Sequence, residues 1–269
     1  MSGTSSEAKP RGLDGVVAAQ TRMSHVDGQN GVLIIGGYEL KELAGKVTFE
    51  EAAFLIWKGR LPSKDEKDEL TRAIATQRAL PETTLEIVRE AAKKAAPPID
   101  TLRMACATLS LDLRNPNDIS PGADFDNAKM LMARFPTIVA AHTRFTAGLE
   151  PIAPRTDLSL AGNFLYMVFG KEPDPIAAKA LDTYWVTVID HGMNASTFAG
   201  RVIASTRSDM VSALTGAIGA LKGPLHGGAP GPVLDMLLEI KTIDNAEPWV
   251  RNELAAGRFM VEGRPAAIR

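Results

Sequence analysis

Between residues 13 and 35 the apolar positions come as two short β-prone runs, GVVAAQT and GVLII, around the polar stretch SHVDGQNG. Asp27-Gly28 and Asn30-Gly31 are turn formers, so the pattern predicts a small β-hairpin with His25 in its turn. Further on, the spacing becomes helical. Thr48 and Glu51 form a capping box ahead of AAFLIWKG, and Gly59 suits the stop. Ser63 and Glu66 repeat the device for a helix that must end before Pro81. Pro97-Pro98 breaks the next run, and Asp100 is placed to cap TLRMACATLSL. Residues 113–124 read as a loop, followed by helices at about 125–147, 158–169, 175–191, 194–206 and 208–221.

Alanine and leucine dominate and β-branched clusters are sparse. With no strand–helix alternation to suggest a parallel sheet, the class is mainly α. Small residues run through SDMVSALTGAIGAL (208–221), which lets helices approach closely, and the glycine-rich GPLHGGAPG follows at once. Either a hinge between a large and a smaller helical domain or a plain helix–helix corner fits there.

Charge and composition narrow the function classes. A formal net charge of −2 without a basic tract argues against nucleic acid, although a local pocket can still be cationic. One cysteine, Cys106, allows no intrachain disulfide and fits a reducing cytosol. The polar residues 1–12 read as a disordered lead without the apolar core of a secretory signal. No run approaches ~18 apolar residues, so a soluble, cytoplasmic protein is expected, with no membrane partner.

Four histidines are the candidate chemistry. His142 lies inside an amphipathic helix and reads as packed or surface-facing. His25 reads as a solvated turn residue, with a pocket wall as the alternative. His191 and Asn194 share a face if one helix continues through them, whereas Ser196 and Thr197 suit a new helix after a break at Gly192. Such a junction lines a pocket or merely caps a helix. No HxxxH, HExxH or CxxC is present, so the metal signal is weak, and GxSxG and P-loop patterns are absent too. Around His226 the residues Gly227, Gly228 and Ala229 add little bulk, so a substrate carbonyl can come close. A neutral imidazole there can donate to an oxygen that gains charge, which is enolate chemistry in outline.

Five segments carry a family resemblance: SHVDGQNGVL (24–33), FEEAAFLIWKGRLPS (49–63), NFLYMVFGKEPDP (163–175), DHGMNASTFAGRVIAST (190–206) and SALTGAIGALKGPLHGGAP (212–230). They resemble the citrate synthase family, its bacterial citrate/2-methylcitrate synthase branch in particular, in order and spacing along about residues 11–257. The resemblance implies a mainly α homodimer whose two-domain subunits close over substrate. It implies condensation of acetyl-CoA, or propionyl-CoA, with oxaloacetate, followed by thioester hydrolysis. Acyl-CoA is then a substrate, and neither metal nor other cofactor is required.

Position by position, His226 matches the catalytic histidine that binds the thioester carbonyl, and His191 a histidine that binds oxaloacetate. Asn194 matches a polar residue of that pocket, and Ser196 a residue that orients the catalytic histidine. Residues 212–222 are expected to help pair subunits. Residues 13–222 then form the large helical domain, and 223–269 the start of a small domain that is incomplete and expected to be mobile or repacked.

Two departures accompany the match. Gly36 stands where the family commonly has arginine. After LAAGRFM (254–260) the family's GFGHRVY-like segment, with a second essential histidine, does not follow; nor do the aspartate base and the arginines that clamp oxaloacetate. Loss of a general base typically costs about 10²–10⁴-fold, so the chain is expected to be impaired alone. Asp190 and Asp235 are the nearest acids, but neither matches the base; Arg201 is a spare cation or a structural ion pair. Two other readings stay open: a non-catalytic helical dimerisation or binding module, and one subunit of a split enzyme completed by a complementary subunit.

Overall fold

The computed structural model describes residues 17, 19–113, 115–190, 192–224, 226, 227 and 230–256, with the backbone alone for 230–234. The chain divides into two compact units, one over Thr21–Gly219 and the other containing the described residues from Ala220 onward.

The larger unit opens with three short antiparallel strands, β1 (Ser24–Asp27), β2 (Val32–Ile35) and β3 (Tyr38–Glu39), in the order β1-β2-β3. The hairpin exists, but its first strand is SHVD itself. His25 therefore lies in β1 opposite Ile34, exposed, and not in the turn. The reason is Asp27: its Oδ1 accepts from the backbone N–H of both Gln29 and Asn30, at 3.1 Å each, and closes the turn at residues 28–31. A second two-residue turn follows at Gly36-Gly37, where φ is 56° and 92°. A Cβ on Gly36 would stand 2.6 Å from Leu55 Cγ, so the arginine usual in the family cannot replace it here without moving Leu55.

Twelve α-helices follow among the described residues. After the short α1 (Leu40–Leu43) come α2 (Phe49–Lys58) and α3 (Lys64–Ala75), both opened by the expected capping boxes, Thr48/Glu51 and Ser63/Glu66. Gly59 ends α2 at φ 75°, as expected. Then come α4 (Glu82–Lys93) and α5 (Pro98–Thr108). α5 starts two residues before the expected cap, because Pro98 fits the first helical position and leaves Asp100 within the first turn. α6 (Pro121–Thr146) likewise begins inside the expected loop, with Ser120 capping and Pro121 leading.

Next are α7 (Leu160–Phe169), α8 (Pro175–Thr187), α9 (Ala195–Ser205) and α10 (Met210–Leu221). α8 stops at Thr187, short of the expected 191, and α9 starts afresh after Gly192 at φ 65°. The small residues of 208–221 serve close approach: an added Cβ at Gly216 would lie 2.2 Å from Ile203 of α9. The other unit contributes α11 (Pro230–Ile240) and α12 (Ala246–Ala255).

Three apolar clusters hold the larger unit. One joins α4, α5, α6 and α10 through Val88, Cys106, Leu131, Ile138 and Val211. A second seats the sheet on α2 and α8 through Ile35, Leu55 and Val186, and a third joins α2, α3, α6 and α7 through Phe54, Ile74, Ala133 and Leu160. Among the described residues no helix is long and apolar enough to cross a membrane.

Candidate active site

Within the larger unit, α2, α6, α7, α8, α9 and α10 surround an open cavity of about 1100 Å³. Its walls are mostly apolar, with Trp57 from α2, Phe135 from α6, Phe164 from α7 and Trp185 from α8. Trp185 sits between Phe49 and Phe164, with ring centroids 5.4 and 5.9 Å away in tilted packing. Pro136, inside α6, also lines the cavity; having no N–H, it leaves the carbonyl of Met132 on the same wall without its helical donor. Polar groups gather on one element: Ser196, Thr197 and Arg201 of α9. Arg201 is exposed and forms no ion pair among the described residues, so the structural salt bridge considered for it is absent there.

Asn194 caps α9 in extended geometry. Its Oδ1 accepts from the Thr197 backbone N–H at 2.8 Å and from the Ser196 hydroxyl at 2.8 Å. Two of the expected site residues are thus brought together by a cap, which combines the two meanings left open for this junction. His191 lies outside the described residues. Asp190, beside it, has one buried carboxylate oxygen with no hydrogen-bond partner among them.

Other buried polar groups hold the walls. Glu50 Oε1 accepts from the Leu160 N–H at 3.0 Å, joining the first turns of α2 and α7. Asp182 of α8 accepts from the Phe49 N–H at 3.0 Å. Arg78, fully buried, donates from one nitrogen to the carbonyls of Arg155 and Leu158, at 2.6 and 2.9 Å. Phe49, Leu160 and Trp185 all line the cavity, so these three groups set its outline. Sequence reasoning missed them. Glu50 looks like any first-turn acid, and only its place between Phe49 and an apolar run hints that it faces inward.

Burial raises the Glu50 carboxyl above its ordinary 4.5, with the nearby Asp182 adding to the rise and Arg78 opposing it. Burial likewise raises Asp182. The folded chain therefore holds these protons to higher pH than the unfolded chain does. Stability from this source is fully present below the ordinary value of 4.5 and is lost as pH rises through the folded value. Glu50→Gln keeps the acceptor for Leu160 and cannot ionise. Its stability relative to wild type should rise between about pH 4 and 7 in urea titrations; parallel pH curves for the two proteins would refute this.

In the other unit, His226 is half-buried and its backbone N–H donates to Gly223 O at 2.9 Å. The Gly227 N–H donates to Leu221 O at 2.9 Å, and a Cβ on Gly227 would stand 2.1 Å from that oxygen. Glycine is required there because the chain folds back on the last turn of α10. His142 is buried, its Nε2 3.1 Å from Ala96 O, and reads as packed rather than functional. Among the described residues no group of three or more His, Cys, Asp or Glu side chains could hold a metal.

The family model for citrate synthase, C-terminal domain, matches residues 12–264. The chain belongs to the citrate synthase family. It is 41% identical over 244 residues to citrate synthase 2 of Bacillus subtilis, a match covering 91% of this chain and 65% of that protein. It is 40% identical to 2-methylcitrate synthase of Mycobacterium tuberculosis over 91% of this chain and 62% of the relative. The solved citrate synthase of Thermoplasma acidophilum, in ternary complex with carboxymethyl coenzyme A and oxaloacetate, superposes with a TM-score of 0.79 at 28% identity, covering 93% of this chain and 65% of that one. The chain thus spans just under two thirds of the length of the curated relatives it matches.

Proposed function

We propose that this chain serves the condensation of an acyl-CoA, acetyl or propionyl, with oxaloacetate to give citrate or 2-methylcitrate and free CoA. The supporting observation is the family match over residues 12–264, with relatives named for both products. In this reading an imidazole N–H of His226 donates to the thioester carbonyl. As a base removes a proton from the α-carbon, negative charge grows on that oxygen and the hydrogen bond strengthens. The α-carbon then bonds to the keto carbon of oxaloacetate, and water cleaves the thioester to release the thiol. His191 and Asn194 hold oxaloacetate, and acyl-CoA is a substrate, so no metal or prosthetic group enters.

Residues 13–222 act as the large helical domain and 223–269 as the start of the small one. The chain works in the cytoplasm as a homodimer. The family's carboxylate base and arginine clamp have no counterpart in the sequence, so the chain turns over poorly alone. A second reading, favoured by the share of the relatives that it spans, makes it one subunit of a split enzyme or a non-catalytic dimerisation module.

Mixing the purified chain with acetyl-CoA or propionyl-CoA and oxaloacetate tests this by free-thiol release. Slow release that needs both substrates, and rises when a polypeptide supplying the remaining third of the relatives is added, is the expected result. An absence of release in both settings, with no binding of oxaloacetate, overturns the enzymatic readings and leaves the dimerisation module.

A further inference from the structure

The cap of α9 contains more chemistry than a cap requires. An asparagine side chain offers one acceptor oxygen and two N–H donors, and the two ends are told apart by their partners. Here the partners decide: the Thr197 backbone N–H can only donate, so the atom 2.8 Å from it is Oδ1. The Ser196 hydroxyl, 2.8 Å from the same oxygen, must donate as well. Both lone pairs of Oδ1 are then used, and the amide cannot flip without losing two hydrogen bonds. What remains of Asn194 is Nδ2, which has no partner among the described residues, at the start of the helix whose Ser196 and Thr197 line the cavity.

We infer that Ser196 is a positioning residue for Asn194: it locks the amide so that Nδ2 is offered as a pure donor to a carboxylate oxygen of the substrate. This rests on the proposed oxaloacetate site. It differs from the role that the family resemblance gives Ser196, because a hydroxyl has a single proton. That proton is spent on Asn194 Oδ1, so any imidazole meeting Ser196 can only donate to it. The site is thereby selective for acceptors. A dicarboxylate fits, and a ligand presenting an amide N–H at that point does not.

Calorimetric titration of the full chain with oxaloacetate, using four variants, tests the proposal. Asn194→Asp keeps a strong cap and adds a favourable charge at the helix start, so thermal stability should hold or rise. It also replaces the donor with a carboxylate, so oxaloacetate affinity should fall roughly 10-fold or more, the size expected for a lost hydrogen bond to a charged group. Ser196→Ala should weaken oxaloacetate binding by roughly 3–10-fold at unchanged helix content, a smaller loss than a full charged hydrogen bond because only the lock is gone. Ser196→Thr, which keeps the hydroxyl, should restore it.

Wild-type affinity in Asn194→Asp, or in Ser196→Ala, overturns the inference. So does a Ser196→Ala protein that loses turnover while keeping oxaloacetate affinity, since that is the signature of a residue acting on the catalytic histidine. Failure of the wild-type chain to bind oxaloacetate sinks the proposed function. In that case, selective asparagine labelling still judges the lock by NMR. The Asn194 side-chain amide should be ordered in wild type and mobile in Ser196→Ala, and equal order in the two refutes the lock.

Discussion

Arg78→Ala should destabilise the larger unit by about 3–5 kcal/mol, the range expected when one partner of a buried charge network is removed. The guanidinium is fully buried between α3 and α4 and bridges the carbonyls of Arg155 and Leu158. Through that bridge it fixes the chain that leads into α7, where the Arg155 N–H also donates to the buried Asn163 at 2.7 Å. Alanine leaves a void, two carbonyls without donors and the Glu50 carboxyl without the positive charge that opposes its rise. Urea unfolding measures the loss. Pairing the change with Glu50→Gln supplies a sharper check. If Arg78 acts partly by offsetting Glu50, the double variant should be more stable than the sum of the two single losses predicts. Strict additivity, or a loss below about 1 kcal/mol for Arg78→Ala, would show that the 155–160 segment holds without it.

The elements that could be read from the sequence are those stabilised locally. Thr48/Glu51 and Ser63/Glu66 satisfy their own helix ends, so the signal and the structure involve the same few residues. The helix starts at Pro98 and Pro121 were misplaced because a nearby acid or a polar loop looked like the boundary. Proline at the first helical position carries the signal instead. His25 was misplaced by the same kind of error, since the Asp27 side chain pulls the turn downstream.

The site divides along the same line. Asn194 and Ser196 are two residues apart, and their hydrogen bond is a local event that spacing alone makes plausible. Glu50 meets Leu160, 110 positions away, and Arg78 meets Leu158, 80 positions away. No periodicity in the chain announces such meetings. They are consequences of helix packing, and they decide how the cavity walls stand.

His226→Ala should lower thiol release by about 10²–10³-fold, the usual cost of losing one donor to a developing oxyanion, while leaving oxaloacetate affinity unchanged. The split between the two readouts follows from the division of labour. The α9 cap handles the dicarboxylate, whereas His226 answers only to charge that appears on the thioester oxygen during proton removal. A ground-state contact would affect binding and turnover together. The surrounding chain makes alanine an informative probe. The half-buried histidine donates its backbone N–H to Gly223, which alanine preserves, and the tight approach of Gly227 to Leu221 does not involve the imidazole. The loop should therefore keep its course while losing the donor. Single-turnover release, with the chain alone or joined by a complementary polypeptide, provides the rate, and calorimetry provides the affinity. Release unchanged by the substitution would remove His226 from the chemistry. A parallel loss of oxaloacetate affinity would mean that the loop shapes the site as a whole.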